Sequence, residues 1–441
     1  MISKSPKKHQ EEAYQFWVRN NGRGLNADDP GLGKTLSSIL YLDRENMWPA
    51  LVVGPASTKG VWANELKEWA GKDSTIVGGR KCYTEPVATP ATIINYDILA
   101  DQLPWLAEQD YKVIIFDEAH SLQSMDTRWT KAAIALAKRC ARVQGLTGTP
   151  IANHTRTLFP ILHIIRPDLF PSFHRFAWSY CDPKFLETQG RWDYNGSSNP
   201  DLLHKAIQPF TIRRKKEILN LPKQSIRMET VEMDNRESYD ALHKQYQSMH
   251  YGFGNPSGTD KLTMITKLLM ATARGKARAV VKWLQDSIAA NPGEKLIVFC
   301  THTGMLDVIY RRVSPGRALM INGSVSSKKR TKFVEQFQTD PQIDLIVCNI
   351  KSGGAGITLT AATKTVFVEL PWVPKDINQA KDRNFRIGQT EETEVIYLVA
   401  ADTIEGKLCR ALQTKSQSSD EVIEGSRTNS LNLFDMLKET V

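Results

Sequence analysis

The chain has 441 residues, of which 41% are hydrophobic and 24% are charged, and its formal net charge is +9. This length exceeds what a single hydrophobic core supports, so two or three globular domains are expected. No apolar stretch of about 18 residues occurs, and the first residues lack the apolar core of a signal peptide. The sequence therefore predicts neither a membrane-spanning nor a secreted protein.

The net charge of the chain indicates its class of binding partner, and the spacing of its cysteines indicates its cellular compartment. An excess of positive charge favours a polyanionic partner such as nucleic acid. The six cysteines are scattered, without the paired spacing of a zinc site, and are interpreted as reduced thiols. We therefore expect an intracellular, DNA-associated protein, in the nucleoid or cytoplasm of a bacterial or phage-infected cell or in a nucleus.

The first functional signal in chain order is the segment 28–35, which reads DDPGLGKT. Its glycines allow backbone N–H groups to approach a polyphosphate closely. In such a loop Lys34 contacts the β- and γ-phosphates, and the Thr35 hydroxyl ligates Mg²⁺. A helix predicted to begin near Lys34 directs its positive end at the same anion. The strict GxxxxGK[ST] pattern has glycine where this chain has Asp28, so the motif is atypical.

The second signal follows the apolar run 112–116, which is typical of a parallel strand buried on both faces. The run leads into the acids of FDEAH, and acids at the carboxyl end of such a strand lie where ligands bind in open α/β sheets. Asp117 is the candidate ligand of Mg²⁺, and Glu118 is the candidate group that polarises the attacking water. His120 is expected to link this site to a neighbouring segment.

Apolar runs interleaved with helical patterns occur twice along the chain and predict two α/β lobes with parallel sheets. The predicted strands of the first lobe are 51–54, 91–96, 113–116 and 142–146, and those of the second lobe are 296–300, 318–322, 345–349, 365–370 and 394–399. No internal sequence repeat is present, so the two lobes are expected to share their architecture only.

The region between the two sets, about 151–292, differs in character. Its first part is rich in aromatics and prolines and lacks an alternating strand pattern, and its second part contains the helical stretch 261–288. We expect helical projections from both lobes, a loop at 252–258, a crossover between the lobes near 213–222, and a weakly structured tail over 424–441. The predicted domains are an N-terminal lobe (1–153), protrusions and linker (154–290), a C-terminal lobe (291–405), and a brace helix with the tail (406–441).

Together these motifs resemble, in order, those of Swi/Snf-type DNA-dependent ATPases of helicase superfamily two. The matching segments are Gln10, residues 28–35, Gly54 and Pro55 with Trp62, Glu65 and Trp69, and residues 116–120, 146–153, 352–359 and 379–389. The resemblance extends from about Gln10 to Gly425. Segments 170–184 and 192–199 look closest to the annealing-helicase subgroup, which rewinds DNA at forks.

Three positions depart from the family pattern. Asp29 and Pro30 stand where the family usually has Glu and Met, and Phe385 replaces a common His. These differences concern fine tuning of the site and leave the groups that hydrolysis needs in place. Asp28 is a mark of the family, because the family also lacks the first glycine of the phosphate loop.

The resemblance implies two RecA-like lobes that use ATP and Mg²⁺ and that complete one site between them. Lys34, Asp117 and Glu118 are then catalytic in the first lobe, and Arg383 and Arg386 reach across from the second lobe as arginine fingers. The implied nucleotide-binding residues are Gln10, Gly31, Leu32, Gly33, Lys34, Thr35, Gly356, Arg383 and Arg386, the metal ligands are Thr35 and Asp117, and the coupling residues are His120, Thr147, Gly148 and Gln379.

The resemblance also implies that DNA lies across both lobes and is held through its phosphates. The candidate DNA-binding residues are Lys59, Asn95, Tyr96, Thr301, His302, Ser324, Arg330, Lys351, Ser352 and Trp372. Trp372 is either a wedge in the groove or a packed core residue. Segment 324–330 is equally a solvated basic turn. Arg213 and Arg214 resemble the family's basic pair between the lobes, or they form structural salt bridges.

Three functions remain open on the sequence. The first is an ATPase that translocates on double-stranded or forked DNA, remodels protein–DNA complexes or anneals strands. The second is a true strand-separating DNA or RNA helicase, and the third is a non-catalytic DNA-binding scaffold. No nuclease constellation and no strand-separating hairpin is recognisable, which favours the first. A monomer is expected, with a DNA-bound protein as a further target and no membrane partner.

Overall fold

The computed structural model describes residues 5–151, 154–187, 190–251, 258–350, 357–371, 374–406 and 408. The described chain separates into two compact units, with the boundary between Asn220 and Leu221. In the described part of the chain, no helix combines the length and the apolar character that crossing a membrane needs.

Unit 1 is built on a parallel sheet of seven strands in the order β3-β4-β2-β5-β6-β1-β9. Its strands are β1 Gly24–Asn26, β2 Ala50–Gly54, β3 Ser74–Ile76, β4 Ala91–Asn95, β5 Val113–Asp117, β6 Val143–Leu146 and β9 Thr211–Ile212. Its helices are α1 Lys8–Arg19, α2 Lys34–Arg44, α3 Lys59–Ala70, α4 Tyr96–Leu99, α5 Leu103–Ala107, α6 Arg128–Ala137, α7 Phe159–Ile165, α8 Phe173–Tyr180 and α9 Pro200–Ile207.

The central strands of unit 1 show why their sequence is apolar without alternation. In β5, Ile114 and Phe116 belong to one buried cluster, while Val113 and Ile115 belong to another. Successive side chains of a strand point to opposite faces, so a sheet covered by helices on both sides buries every position. Burial on both faces fixes the register of β5 and therefore the place where its terminal Asp117 emerges.

Unit 2 is built on a parallel sheet of six strands in the order β10-β15-β14-β11-β13-β12. Its strands are β10 Gln224–Val231, β11 Leu296–Cys300, β12 Ala318–Ile321, β13 Leu345–Asn349, β14 Lys364–Phe367 and β15 Thr393–Ala400. Its helices are α10 Arg236–Tyr251, α11 Gly258–Ala290, α12 Thr303–Arg312, α13 Ser327–Thr339 and α14 Pro374–Lys381.

The predicted fold class, two parallel-sheet α/β lobes, is confirmed by these two sheets. The predicted strands are present, two of them with the predicted ends and the others with ends displaced by at most three residues. Four of the described strands in these two sheets escaped prediction: β1, β3, β9 and β10. Three of them are only two or three residues long, and β10 is an edge strand whose residues are mostly exposed, so no apolar run marks it.

The expectation of a strand-free first protrusion is wrong. After α8 the chain forms an antiparallel pair, β7 Lys184–Leu186 and β8 Arg191–Asp193, in which Phe185 lies opposite Trp192. The strands have three residues each, too few for a recognisable alternation. Of the predicted loop at 252–258, residues 252–257 lie outside the described residues and Gly258 is the first residue of α11. The predicted tail over 424–441 also lies outside the described residues.

Candidate functional site

The phosphate loop lies between β1 and α2. Gly33 is the N-cap of α2 in a left-handed conformation, with φ +80°, and Lys34 is the first residue of the helix. A side chain at Gly33 would place its Cβ 2.3 Å from Nε2 of Gln10. Glycine is therefore required both by the backbone angle and by the close approach of Gln10 to the loop.

The Lys34 ammonium lies inside this loop. Its Nζ donates to the carbonyl oxygens of Asp28 at 2.7 Å and Asp29 at 3.2 Å. Burial lowers the pKa of Lys34, and the charges of Glu118, Asp28, Asp117 and Asp29 oppose that shift in this order. The fold thus brings the DDPGLGKT lysine and the FDEAH acids into electrostatic contact, although they are far apart in sequence.

Two carboxylates follow β5. Oδ2 of Asp117 accepts a hydrogen bond from Nε1 of Trp62 at 2.9 Å, and the Asp117 carbonyl accepts one from the Tyr96 hydroxyl at 2.8 Å. Glu118 has a left-handed backbone with φ +49°, so the chain turns sharply at this point. Burial, reinforced by the charge of Glu118, raises the pKa of Asp117 to about 6.

These residues fit a magnesium–triphosphate group. Burial and the neighbouring charge of Glu118 raise the pKa of Asp117, and a cation bound beside these two carboxylates would offset both effects. Thr35 lies half-buried in the first turn of α2. The amides at this helix start and the Lys34 ammonium are the groups that bind phosphate oxygens in such loops.

His120 joins this site to the strand beside it. Its Nδ1 lies 2.9 Å from Oγ1 of Thr147 and 3.2 Å from Oε2 of Glu118. Gly148 packs so closely on the phosphate loop that an added Cβ would lie 2.7 Å from Cδ of Pro30. Segment 146–151 therefore touches both the FDEAH and the DDPGLGKT segments, which is the kind of neighbour predicted for His120.

The candidate DNA-binding residues of unit 1 are largely engaged inside the unit. Nζ of Lys59 donates to the Val77 carbonyl at 2.9 Å and to Oδ1 of Asn95 at 3.0 Å. Asn95 and Tyr96 are buried, with 7% and 6% of their surface exposed. The polar groups of both side chains bond within the unit, and their contact with DNA stays a prediction.

In unit 2, Thr301 and His302 follow β11 and line a cavity of about 690 Å³. Glu369, which is 3% exposed, accepts the Thr301 and His302 amides on Oε2 at 2.8 and 2.9 Å. Its Oε1 lies 2.6 Å from Nδ1 of His302, and this hydrogen bond raises the pKa of His302. No sequence motif pointed to Glu369, although an acid directly after an apolar run was a usable signal.

The other described DNA candidates lie at the start of α13. The Ser326 side chain caps this helix by accepting the Lys329 amide. Ser324 is exposed and its hydroxyl donates to Oδ1 of Asn322 at 2.7 Å. Arg330 is half-buried, and burial lowers its pKa. Segment 324–330 is thus a capped helix start. Lys351, Ser352, Gly356 and Trp372 lie outside the described residues.

Arg383 and Arg386 converge on one backbone group. Nη1 of each lies 3.2 Å from the carbonyl oxygen of Ile357, and Nε of Arg383 donates to the Gln379 carbonyl at 2.7 Å. Arg383 is 7% exposed. The structure therefore holds the predicted finger residues together in unit 2, and their reach toward a nucleotide stays a prediction.

Comparison with known proteins gives a consistent set of similarities. A family profile described as "SNF2-related domain" matches residues 9–332. The Bos taurus protein named "DNA annealing helicase and endonuclease ZRANB3" is 30% identical over 437 residues, which are 95% of this chain and 40% of that protein. The Xenopus tropicalis protein named "SWI/SNF-related matrix-associated actin-dependent regulator of chromatin subfamily A-like protein 1" is 34% identical over 421 residues, covering 92% of this chain and 44% of that protein.

Among solved structures, "Sulfolobus solfataricus SWI2/SNF2 ATPase core in complex with dsDNA" is similar with 24% identity and a TM-score of 0.46, covering 100% of this chain and 96% of that chain. The chain spans less than half the length of the two curated relatives, 40% and 44%.

Proposed function

The chain belongs to the SNF2-related family, as its motifs predict, and on this premise we propose that it is a DNA-dependent ATPase that moves along double-stranded DNA. One observation carries the ATPase part: the Lys34 ammonium, held inside the phosphate loop, lies in the field of Glu118 and Asp117 at the end of a parallel strand. A cation and two carboxylates grouped at this edge of a sheet match what phosphoryl transfer requires.

Each residue of the group has a distinct role in this proposal. Lys34 and the amides at the start of α2 bind the β- and γ-phosphates of ATP. Thr35 and Asp117 are the residues that would hold Mg²⁺, which supplies charge neutralisation on the phosphoryl oxygens when bound. Glu118 accepts a hydrogen bond from the attacking water and orients it. Gln10, beside Gly33, contacts the nucleotide base.

Coupling of the site to the rest of unit 1 runs through His120. Because its imidazole lies against both Glu118 and Thr147, a shift of the segment after β6 moves the carboxylate that orients water. Gly148, packed on Pro30, adds a second contact between that segment and the phosphate loop. We assign Gln379 a similar role in unit 2, where its carbonyl holds the Arg383 side chain.

Arg383 and Arg386 act in this proposal as arginine fingers that neutralise charge in the transition state. Such residues contribute roughly 10³–10⁵ in rate in other nucleoside triphosphatases. Both guanidinium groups rest on the Ile357 carbonyl, so they are held as a pair. Gly356, directly before Ile357 in the chain, is assigned to the same nucleotide contact.

The DNA track is assigned to small, polar and basic groups on both units. They are Lys59, Thr301, His302, Ser324, Arg330, Lys351, Ser352 and Trp372. Contacts of this type hold phosphates without reading base sequence, so we expect strong dependence on salt and weak dependence on sequence. Strand annealing or branch migration at forks is the finer proposal, supported by the name of the bovine relative, "DNA annealing helicase and endonuclease ZRANB3".

The proposal is tested by measuring ATP hydrolysis with duplex DNA, forked DNA, single-stranded DNA and RNA, followed by annealing and displacement assays on labelled oligonucleotides. We expect duplex or forked DNA to stimulate hydrolysis, and Lys34→Ala to abolish it. Lys131→Ala is the matched control, because this exposed lysine lies on α6 of the same unit, away from the phosphate loop.

Each other outcome identifies a different function. Stimulation by single strands alone, with displacement of the labelled strand, indicates a strand-separating helicase. Hydrolysis absent with every polymer, together with retained DNA binding, indicates a scaffold. Hydrolysis that survives Lys34→Ala contradicts the assignment of the site itself.

A further inference from the structure

The two acids that make the phosphate loop atypical are engaged with the end of unit 1. Residues 211–214 run beside β1 and continue along the loop, because the Ile212 carbonyl accepts the Ala27 amide at 2.8 Å and the Arg214 carbonyl accepts the Asp29 amide at 3.0 Å. The chain then reaches the boundary of unit 2 at Asn220. The segment that leads into unit 2 is therefore added to the sheet directly at the phosphate loop.

Arg214 binds Asp28 through two parallel hydrogen bonds, one of them from Nε to Oδ1 at 3.0 Å and the other from Nη2 to Oδ2. Its Nη1 also donates to the His9 carbonyl and lies 3.4 Å from Oε2 of Glu12. Asp28 is 1% exposed. This bidentate pair ties the loop to α1, the helix that carries Gln10.

Arg213 forms the second half of the arrangement. Its Nη1 donates to the Ala27 carbonyl at 2.7 Å and to the Gly148 carbonyl at 2.9 Å, and it lies 3.1 Å from Oδ1 of Asp29. The other carboxylate oxygen of Asp29 accepts the Lys216 amide at 3.0 Å. We call the pairs Asp28–Arg214 and Asp29–Arg213 the linker clasp.

The linker clasp and Lys34 share the same two residues. The side chains of Asp28 and Asp29 hold the linker, while their backbone carbonyls hold Nζ of Lys34. A movement of Lys34 away from these carbonyls would therefore act on the same two residues that hold the linker, and a movement of the linker would act on the carbonyls that position Lys34.

We propose that Arg213 and Arg214 are positioning residues that couple nucleotide binding at Lys34 to the segment entering unit 2, and that DNA stimulation of hydrolysis depends on them. This inference rests on the proposed ATPase function. It also gives Asp28 a physical role: a glycine at that position would provide no carboxylate for Arg214.

The test replaces Arg214 by Lys, which keeps the positive charge beside Asp28 but removes the planar fork. The measurements are basal hydrolysis, duplex-stimulated hydrolysis, and affinity for a non-hydrolysable ATP analogue. We expect the stimulated rate to fall about tenfold, the usual effect of losing a hydrogen bond between charged groups, with basal rate and affinity nearly unchanged. Arg213→Lys is a second variant with the same expectation, in case the first does not fold.

The matched control is Arg166→Lys. Arg166 forms a bidentate pair with Asp168 in the same unit, with Nε lying 2.9 Å from Oδ1 and Nη2 lying 2.5 Å from Oδ2, and its guanidinium lies over the Phe210 ring, a contact that lysine can keep. A double-mutant cycle of Asp28→Asn with Arg214→Lys then tests whether the pair acts as a unit, since coupled residues give non-additive losses of stimulation. Hydrogen exchange over residues 211–216 adds a readout besides activity. The ATP analogue is expected to change it in the wild type and not in Arg214→Lys.

Two results overturn the proposal. In the first, basal and stimulated rates fall in parallel, or affinity for the analogue falls by a matching factor. The linker clasp then only stabilises the loop and does not couple it to DNA. Unchanged stimulation in both lysine variants removes its role altogether. A wild type that no DNA stimulates contradicts the proposed ATPase function instead, and inactivity of Lys34→Ala beside unaffected lysine variants contradicts the linker clasp alone.

Discussion

The acidic side chains at the carboxyl ends of the two sheets differ in how the chain pairs them. In unit 1, Asp117 and Glu118 lie together, and burial with their mutual repulsion raises the pKa of Asp117 to about 6. In unit 2, Glu369 is satisfied by the Thr301 and His302 amides and by the His302 ring. One fold class thus supports both a site with charge reserved for a ligand and an edge whose charge is met by the chain.

The interior of unit 2 continues the contrast. Nζ of Lys276 lies 2.7 Å from both carboxylate oxygens of Glu405 and donates to the Leu398 carbonyl at 2.8 Å. Lys34 of unit 1 is half-buried, and its Nζ donates to the backbone carbonyls of Asp28 and Asp29. Among the described residues, no carboxylate forms an ion pair with it. The comparison teaches that a directly paired lysine and carboxylate, such as Lys276 and Glu405, stabilise the fold. A lysine and carboxylates that lie near one another without pairing, such as Lys34 and Glu118, indicate the candidate nucleotide site.

The largest effect on activity is expected from a substitution of Glu118, one of the two carboxylates at the end of β5. Glu118→Gln removes the carboxylate proposed to orient the attacking water and is expected to slow hydrolysis about 10²–10⁴-fold. Affinity for an ATP analogue is expected to persist, because Lys34 and the loop amides remain. Single-turnover hydrolysis and equilibrium binding of a fluorescent analogue separate the two effects. An equal loss in both measurements contradicts the assignment of Glu118 to catalysis.

The next effect concerns the closed pair of unit 2. Lys276→Met leaves Glu405 buried without a cation and is expected to lower the free energy of unfolding of that unit by about 3–5 kcal/mol. Urea unfolding measures this change. Replacing both residues, Lys276→Met with Glu405→Leu, is expected to recover much of it.

The control for this prediction is Lys67→Met, whose ion pair with Asp73 is exposed on both sides, so it is expected to change stability by less than about 0.5 kcal/mol. Equal losses of unfolding free energy in Lys276→Met and Lys67→Met would contradict the distinction between buried and exposed ion pairs.

A smaller effect is expected at the helix start of unit 1. Gly33→Ala imposes a left-handed conformation on alanine, which costs about 1–2 kcal/mol, and drives its Cβ against Gln10. Weaker binding of the ATP analogue is the expected result. The double variant with Gln10→Ala relieves the clash but not the backbone strain. Full recovery in the double variant contradicts the role assigned to the backbone angle.

The smallest effect is a pH dependence in unit 2. Glu369 raises the pKa of His302 above its ordinary value of 6.5. The protonated ring therefore stabilises the folded state. This contribution is complete at pH values below the pKa that His302 has in the unfolded chain, and it is lost as pH rises through the higher pKa of His302 in the folded chain. The stability difference between wild type and His302→Gln is expected to shrink as pH rises from below 6.5. Urea unfolding across pH measures it, and a difference that grows with pH contradicts the pairing.

The sequence alone determined the two lobes and the family, and it predicted the nucleotide-binding residues. Lys34 sits in a short local motif, and Asp117 ends a run whose unbroken apolar character already places it at the end of a strand buried on both faces. Both signals depend on neighbours in the chain, so they can be read without coordinates.

Only the tertiary structure decided which groups the remaining charges meet. Arg214 reaches Asp28 across 186 positions of sequence, and Glu369 reaches His302 across 67. The strand β9, which brings Arg214 to the loop, has two residues and no pattern of its own. The family resemblance implied that Asn95 and Tyr96 lie on a DNA-binding surface, whereas the packing of unit 1 buries both side chains. Partners of this kind depend on long-range pairing and on backbone carbonyls, which no local pattern of side chains records.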